Sequence, residues 1–167
     1  MNIIKIVLGA FACLLASGSL SAQEAVFVIR HAEQELTGTV DAGLLPEGRE
    51  RATDWATILR PSRIDLVVTT EIQRSRDTGA IIAKALEVPR VEFSRGASSS
   101  IAEFLRENYP EDVVLVVGHS ETIPKLLRSF GYADTFPISR SAYGWLFIVT
   151  PLENGPPAVA RLNINLR

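Results

Sequence analysis

The sequence predicts an α/β fold: a three-layer α/β/α sandwich around a mostly parallel sheet, closed by a C-terminal edge hairpin. Three observations carry this. The runs Ala25–Ile29 and Val113–Val117 are apolar and rich in β-branched residues, as strands buried on both faces are. Strand-like and helix-like segments alternate along the chain, which is the pattern of a layered α/β domain. Tyr143–Thr150 and Ala158–Leu166 then form two further strand-like runs, joined by a turn containing Asn154-Gly155.

Residues 1–22 read as a secretory signal, followed by one domain over 23–167. Lys5 lies in the charged start, Ile6–Leu15 is almost wholly apolar, and Ala16–Ala22 is small-residue rich, with cleavage expected after Ala22. The apolar stretch is too short to span a bilayer comfortably, so no stable membrane insertion is expected after cleavage. The implied location is periplasmic or secreted. The only cysteine, Cys13, falls inside the signal. The mature chain therefore has no thiolate nucleophile, cysteine-based zinc site or disulfide. Net charge is −2, and loss of Lys5 brings it to −2 − 1 = −3. Such a mild balance gives no sign of a nucleic-acid partner. Nothing in the sequence specifies an oligomer.

The elements follow in order. The first strand ends in Arg30-His31-Ala32-Glu33, and the polar, turn-rich Gln34–Gly43 is a loop beside that histidine. Pro46 suits the first turn of a helix, with Glu47 and Glu50 near its positive end. That helix runs to Arg60, where Pro61 stops it, and Ala52, Trp55, Ala56 and Leu59 form its buried stripe. Ile64–Thr70 is a second strand. A helix opened by Glu71–Thr78 runs on to Leu86. Val88–Phe93 is a short strand near an edge, since Pro89 cannot donate to a ladder. Ser98–Ser100 would cap a helix over Ile101–Asn108. After the second histidine strand, Ser120 is the expected cap of a helix with Pro124 in its first turn and Leu126, Leu127 and Phe130 facing inward, ended by Gly131.

The chemistry lies at strand ends. The chain has two histidines, His31 and His119, and each follows an apolar strand directly. Ligands of open α/β sheets bind outside the carboxyl ends of the strands. Arg30 precedes His31, and Arg74 lies four residues beyond the second strand, so it can point back over the same site. Arg76 would face elsewhere and pair with Asp77 or Glu71. Guanidinium forks match phosphate oxygens, and a neutral imidazole can attack phosphorus. Positive groups fixed around a phosphoryl stabilise its charge in transfer. No metal or other cofactor is required if arginines and imidazole supply that charge. A metal reading would use Glu33 or Glu121 beside the histidines.

These blocks resemble one family. Arg30-His31-Ala32-Glu33, Leu45-Pro46-Glu47-Gly48-Arg49, Thr70–Thr78 and Val117-Gly118-His119-Ser120 are similar, in content and order, to the histidine phosphatase (phosphoglycerate mutase-like) superfamily, above all its small bacterial members. The resemblance implies a metal-independent phosphomonoester hydrolase. In it His31 is the nucleophile that becomes phosphohistidine, Arg30 and Arg74 hold phosphate, and His119 contacts phosphate and stabilises the transition state. The family's proton donor matches no residue cleanly: Glu92 is the first choice, with Glu121 and Glu33 as rivals. The expected partner is a small phosphorylated substrate or an envelope phosphoglycan. The alternatives are a non-catalytic phosphate- or phosphosugar-binding module with the same fold and, third, a phosphoglycerate-type mutase.

Overall fold

The structure, a computed structural model, describes residues 24–134, 136–152 and 154–164. The expected signal over 1–22 and the end of the last strand lie outside them. Within them the elements run β1 (Ala25–Arg30), α1 (Pro46–Leu59), β2 (Leu66–Thr70), α2 (Gln73–Leu86), β3 (Arg90–Phe93), α3 (Ser98–Asn108), β4 (Val113–Gly118), α4 (Ile123–Ser129), β5 (Trp145–Thr150) and β6 (Ala158–Asn163). A short 3₁₀ turn, Arg60–Ser62, follows α1 and carries Pro61.

The six-stranded sheet has the order β3-β2-β4-β1-β5-β6. The first four strands in that order are parallel; β5 runs antiparallel to β1, and β6 antiparallel to β5. The hairpin is therefore an edge unit, but β5 reaches into the sheet and only β6 is the outer strand. Side chains alternate between two cores. Val26, Val28, Leu66, Val68, Val114 and Val116 pack with Ile101 and Leu105 of α3 and Leu126 and Leu127 of α4. Phe27, Ile29, Val67, Leu115 and Val117 pack with Trp55 and Leu59 of α1 and Ile82 of α2. Two helices on each face give the three layers. Strands buried on both faces explain why their sequences carry no polar alternation.

Two close approaches set the layer spacing. A Cβ on Gly48 of α1 would stand 2.3 Å from the Glu33 carbonyl oxygen, and one on Gly79 of α2 would stand 2.2 Å from Thr69 Cγ2. Glycine is therefore required where these helices meet the first loop and β2.

Capping differs from the sequence expectation in two places. Ser98, Ser99 and Ser100 form the first turn of α3 itself, and no side chain caps that helix. Ahead of α4, the His119 backbone N–H donates to Thr122 Oγ1 at 3.0 Å, whereas the Ser120 hydroxyl donates to Glu121 at 3.0 Å. Thr122, three residues on, reaches back over the tight turn that Ser120 occupies. At α2 the cap comes from elsewhere in the chain: Asp41 Oδ1 accepts the Gln73 N–H at 2.6 Å.

Candidate active site

β1 and β4 are neighbours in register, Arg30 opposite Gly118. Their connections leave toward opposite faces, through α1 on one and α4 on the other. Such a divergence opens a crevice beyond the carboxyl ends of the two strands. The residues that follow them are His31 and His119. The His31 N–H donates to the Gly118 carbonyl at 2.9 Å, and the imidazole centroids lie 5.1 Å apart.

His31 is 2% exposed. Its Nδ1 lies 2.8 Å from the Ala32 carbonyl, which can only accept, so Nδ1 carries the proton and Nε2 the lone pair. Arg74 Nε donates to that Nε2 at 3.1 Å. Burial first, then the charges of Arg30, His119 and Arg74, push the His31 pKa down from 6.5 to about 2, although the Ala32 hydrogen bond opposes this. Burial and the charges of Arg74, Arg95 and Arg30 likewise push His119 down to about 3. Both rings are neutral at physiological pH. His119 Nε2 contacts Thr70 Oγ1 at 2.9 Å, while its buried Nδ1 has no partner among the described residues.

The arginines occupy fixed places. Burial and the charges of Arg95 and Arg30 lower the Arg74 pKa, the mark of cations crowded together. Arg74 Nη1 donates to the Val40 carbonyl at 2.7 Å. Arg30 donates through Nη1 to the carbonyls of Arg140 at 2.6 Å and Ser139 at 3.3 Å, and its guanidinium carbon lies 4.0 Å over the Tyr143 ring. Its buried Nε is unpartnered among the described residues. Arg30 thus clamps the segment before β5 and also lines the site cleft. Behind them, buried Ser75 accepts the Thr70 N–H at 2.9 Å and donates to the Val117 carbonyl at 2.8 Å, tying α2 to the ends of β2 and β4. Thr78 Oγ1 accepts the Ala32 N–H at 3.0 Å.

Arg30, His31 and Arg74 open into a cleft of about 370 Å³ that Arg95, Glu121 and Tyr143 also line, whereas His119 is buried and is not among its lining residues. The sequence-expected quartet Arg30, His31, Arg74 and His119 is brought together. The carboxylates separate. Glu92 does not line the cleft. Val91 and Phe93 pack on the α3 side of the sheet, so the period-two alternation turns Glu92 to the other face. There it is ion-paired to Arg90 at 3.5 Å. Of the three candidate proton donors, only Glu121 lines the cleft. Glu33 is held by Arg51 Nε at 2.7 and 2.9 Å, away from the cleft. Glu121 does line the cleft, ion-paired with Arg95. Arg76 pairs with Asp41 at 3.7 Å rather than with Asp77 or Glu71. Among the described residues no cluster of histidine, cysteine, aspartate and glutamate could hold a metal ion.

Sequence reasoning missed Arg95 and Tyr143. Arg95 stands just past β3, at a strand end like the other site residues, and that placement was a usable signal. Tyr143 was hidden because β5 is antiparallel, which brings its N-terminal end to the site.

Comparisons with known proteins agree with this fold. The family model for the histidine phosphatase superfamily (branch 1) matches residues 26–96. The protein histidine phosphatase SixA, solved with tungstate, superposes with a TM-score of 0.67 at 18% identity, over 83% of this chain and 96% of that one. Mycobacterial glucosyl-3-phosphoglycerate phosphatase superposes at 0.68 with 12% identity, over 85% and 99% of the chains. A SixA protein from Nakamurella multipartitia is 25% identical over 75% of this chain and 83% of its own, with a TM-score of 0.57. Comparison with curated proteins finds no significant match.

Proposed function

We propose that the chain is a phosphatase of the histidine phosphatase superfamily, whose family model matches residues 26–96, and that it hydrolyses phosphomonoesters through a phosphohistidine on His31. The observation that supports this most is the state of His31: a neutral imidazole, its Nδ1 proton given to the Ala32 carbonyl and its Nε2 lone pair set against Arg74.

In the first step Nε2 attacks phosphorus. The N–P bond forms as the ester P–O bond breaks, and the leaving oxygen takes the proton of the monoanionic phosphate, relayed by the Glu121 carboxylate that lines the cleft. Arg74, displaced from Nε2 by the incoming phosphoryl, keeps its guanidinium on the phosphoryl oxygens. Arg30 Nε and His119 Nδ1, both buried without partners, complete that shell. In the second step water attacks the phosphohistidine, Glu121 takes its proton, and inorganic phosphate leaves with His31 neutral again. These groups supply the charge stabilisation without a metal. The signal-like residues 1–22 support an exported enzyme, and the names of the similar phosphatases support a small phosphorylated substrate.

The test is hydrolysis of p-nitrophenyl phosphate in the presence of EDTA, beside His31→Ala and Glu121→Gln. Activity is expected to survive EDTA and to fall at least about a thousandfold in His31→Ala. Glu121→Gln is expected to spare this good leaving group but to slow alkyl phosphates by about a hundredfold. Wild-type protein that binds phosphate and turns nothing over would favour the binding module instead.

A further inference from the structure

Leu36 and Val40 are 93% and 68% exposed, and both line the cleft that opens on His31. Single exposed apolar side chains are ordinary on a protein surface. These two are four residues apart on one loop, at the mouth of one site. The same segment buries Ala42 and Leu44. The remaining lining of the cleft is polar or charged apart from the Tyr143 ring.

The loop that carries them is tied down. The Val40 carbonyl accepts from Arg74, the residue that also touches His31 Nε2. Asp41 accepts the Gln73 N–H at the start of α2 and pairs with Arg76. The Glu35 N–H donates to the Gly43 carbonyl at 2.9 Å, and Gln34 bridges Leu44, closing the base of the loop. Val40 is thus held beside the site through Arg74, and Leu36 stands on the same loop at the mouth of the cleft. A phosphoryl group among the arginines leaves its ester substituent to emerge over the mouth of the cleft.

We propose that Leu36 and Val40 are specificity residues that seat the hydrocarbon of the leaving group, so that the preferred substrates are phosphomonoesters of alkyl or aryl alcohols rather than of polyols. The assignment rests on the His31 phosphatase reading and narrows its substrate class. Water released from these two side chains and from the substrate chain supplies the preference, which grows with each methylene that reaches them.

The experiment measures kcat/KM for ethyl, butyl and hexyl phosphate, all kept monomeric, with glycerol phosphate as the polar reference. Wild-type kcat/KM should rise roughly two- to fourfold per added methylene. In the double variant Leu36→Ser/Val40→Ser the ratio of hexyl to glycerol phosphate should collapse toward one. Both side chains face solvent, so the exchange removes no core packing. Hydrolysis with no dependence on chain length, or a preference for glycerol phosphate, would overturn the specificity assignment and leave the His31 chemistry standing. Failure to hydrolyse any member, with p-nitrophenyl phosphate still turned over, would overturn the specificity assignment alone, and failure on p-nitrophenyl phosphate as well would overturn both.

Discussion

His31 and His119 are held neutral by burial, and that choice leaves a trace in stability. Each histidine binds a proton less readily folded than unfolded, with folded pKa values of about 2 and about 3 against 6.5. As pH falls below 6.5 the unfolded chain takes up protons that the folded chain refuses. Stability from this source is complete above pH 6.5 and is lost progressively down toward pH 3 and then 2. The slope is at most roughly 1.4 kcal/mol per pH unit for each histidine. Urea unfolding at pH 7, 6 and 5 should show the decline, and His31→Gln should make it shallower; an unchanged slope would contradict the neutral assignment. At this scale the sequence was legible where chemistry sits directly after a buried strand. Arg30, His31 and His119 needed no more than that pattern, and Arg74 only a helix spacing. Which carboxylate lines the cleft was not legible, because a carboxylate in a short edge strand can face either side of the sheet. Glu92 and Glu121 were separated by which face the pleat and the α4 turn gave them.

The elements were legible because the apolar stripes of α1 and α2 and the doubly buried strands leave little choice of partner. What spacing did not reveal was how closely the helices sit. Gly48 and Gly79 let α1 and α2 approach the first loop and β2 to a distance no side chain allows. The two contacts differ in kind. At Gly48 the obstacle is backbone, which cannot rotate away. At Gly79 it is mainly the Thr69 methyl, with Val67 Cγ1 next at 3.2 Å. Gly48→Ala should therefore displace the Glu33 segment and cost about 2–3 kcal/mol, while Gly79→Ala, partly relieved by movement of Thr69, should cost about 1–2 kcal/mol. Thermal melts of the two variants should rank them in that order. The caps were misjudged for a related reason: a serine at the right sequence position was passed over at α3 and at α4, and α2 took its cap from Asp41, thirty-two residues away in sequence, in a contact only the tertiary fold creates.

At the scale of the whole molecule, the sheet order has a consequence for how the chain comes into being. The first strand made is also an inner one. β1 has no partner among the elements that follow it closely; its neighbours are β4 and β5, the latter pairing Val26 with Val149. A nascent chain emerging from the ribosome thus carries Ala25–Arg30 without a strand partner until β4 has been synthesised, and without its second partner until β5 follows. Closing such distant contacts is slow, because loop entropy must be met before any pairing rewards it. Fragments ending at Gly131 should stay protease-sensitive, and protection should appear only once Thr150 is included, which limited proteolysis of stalled chains would reveal. Chains that cross a membrane through a narrow channel must arrive there unfolded. Under the export proposed from residues 1–22, the late arrival of the partners of β1 would help to keep the fold open on the way.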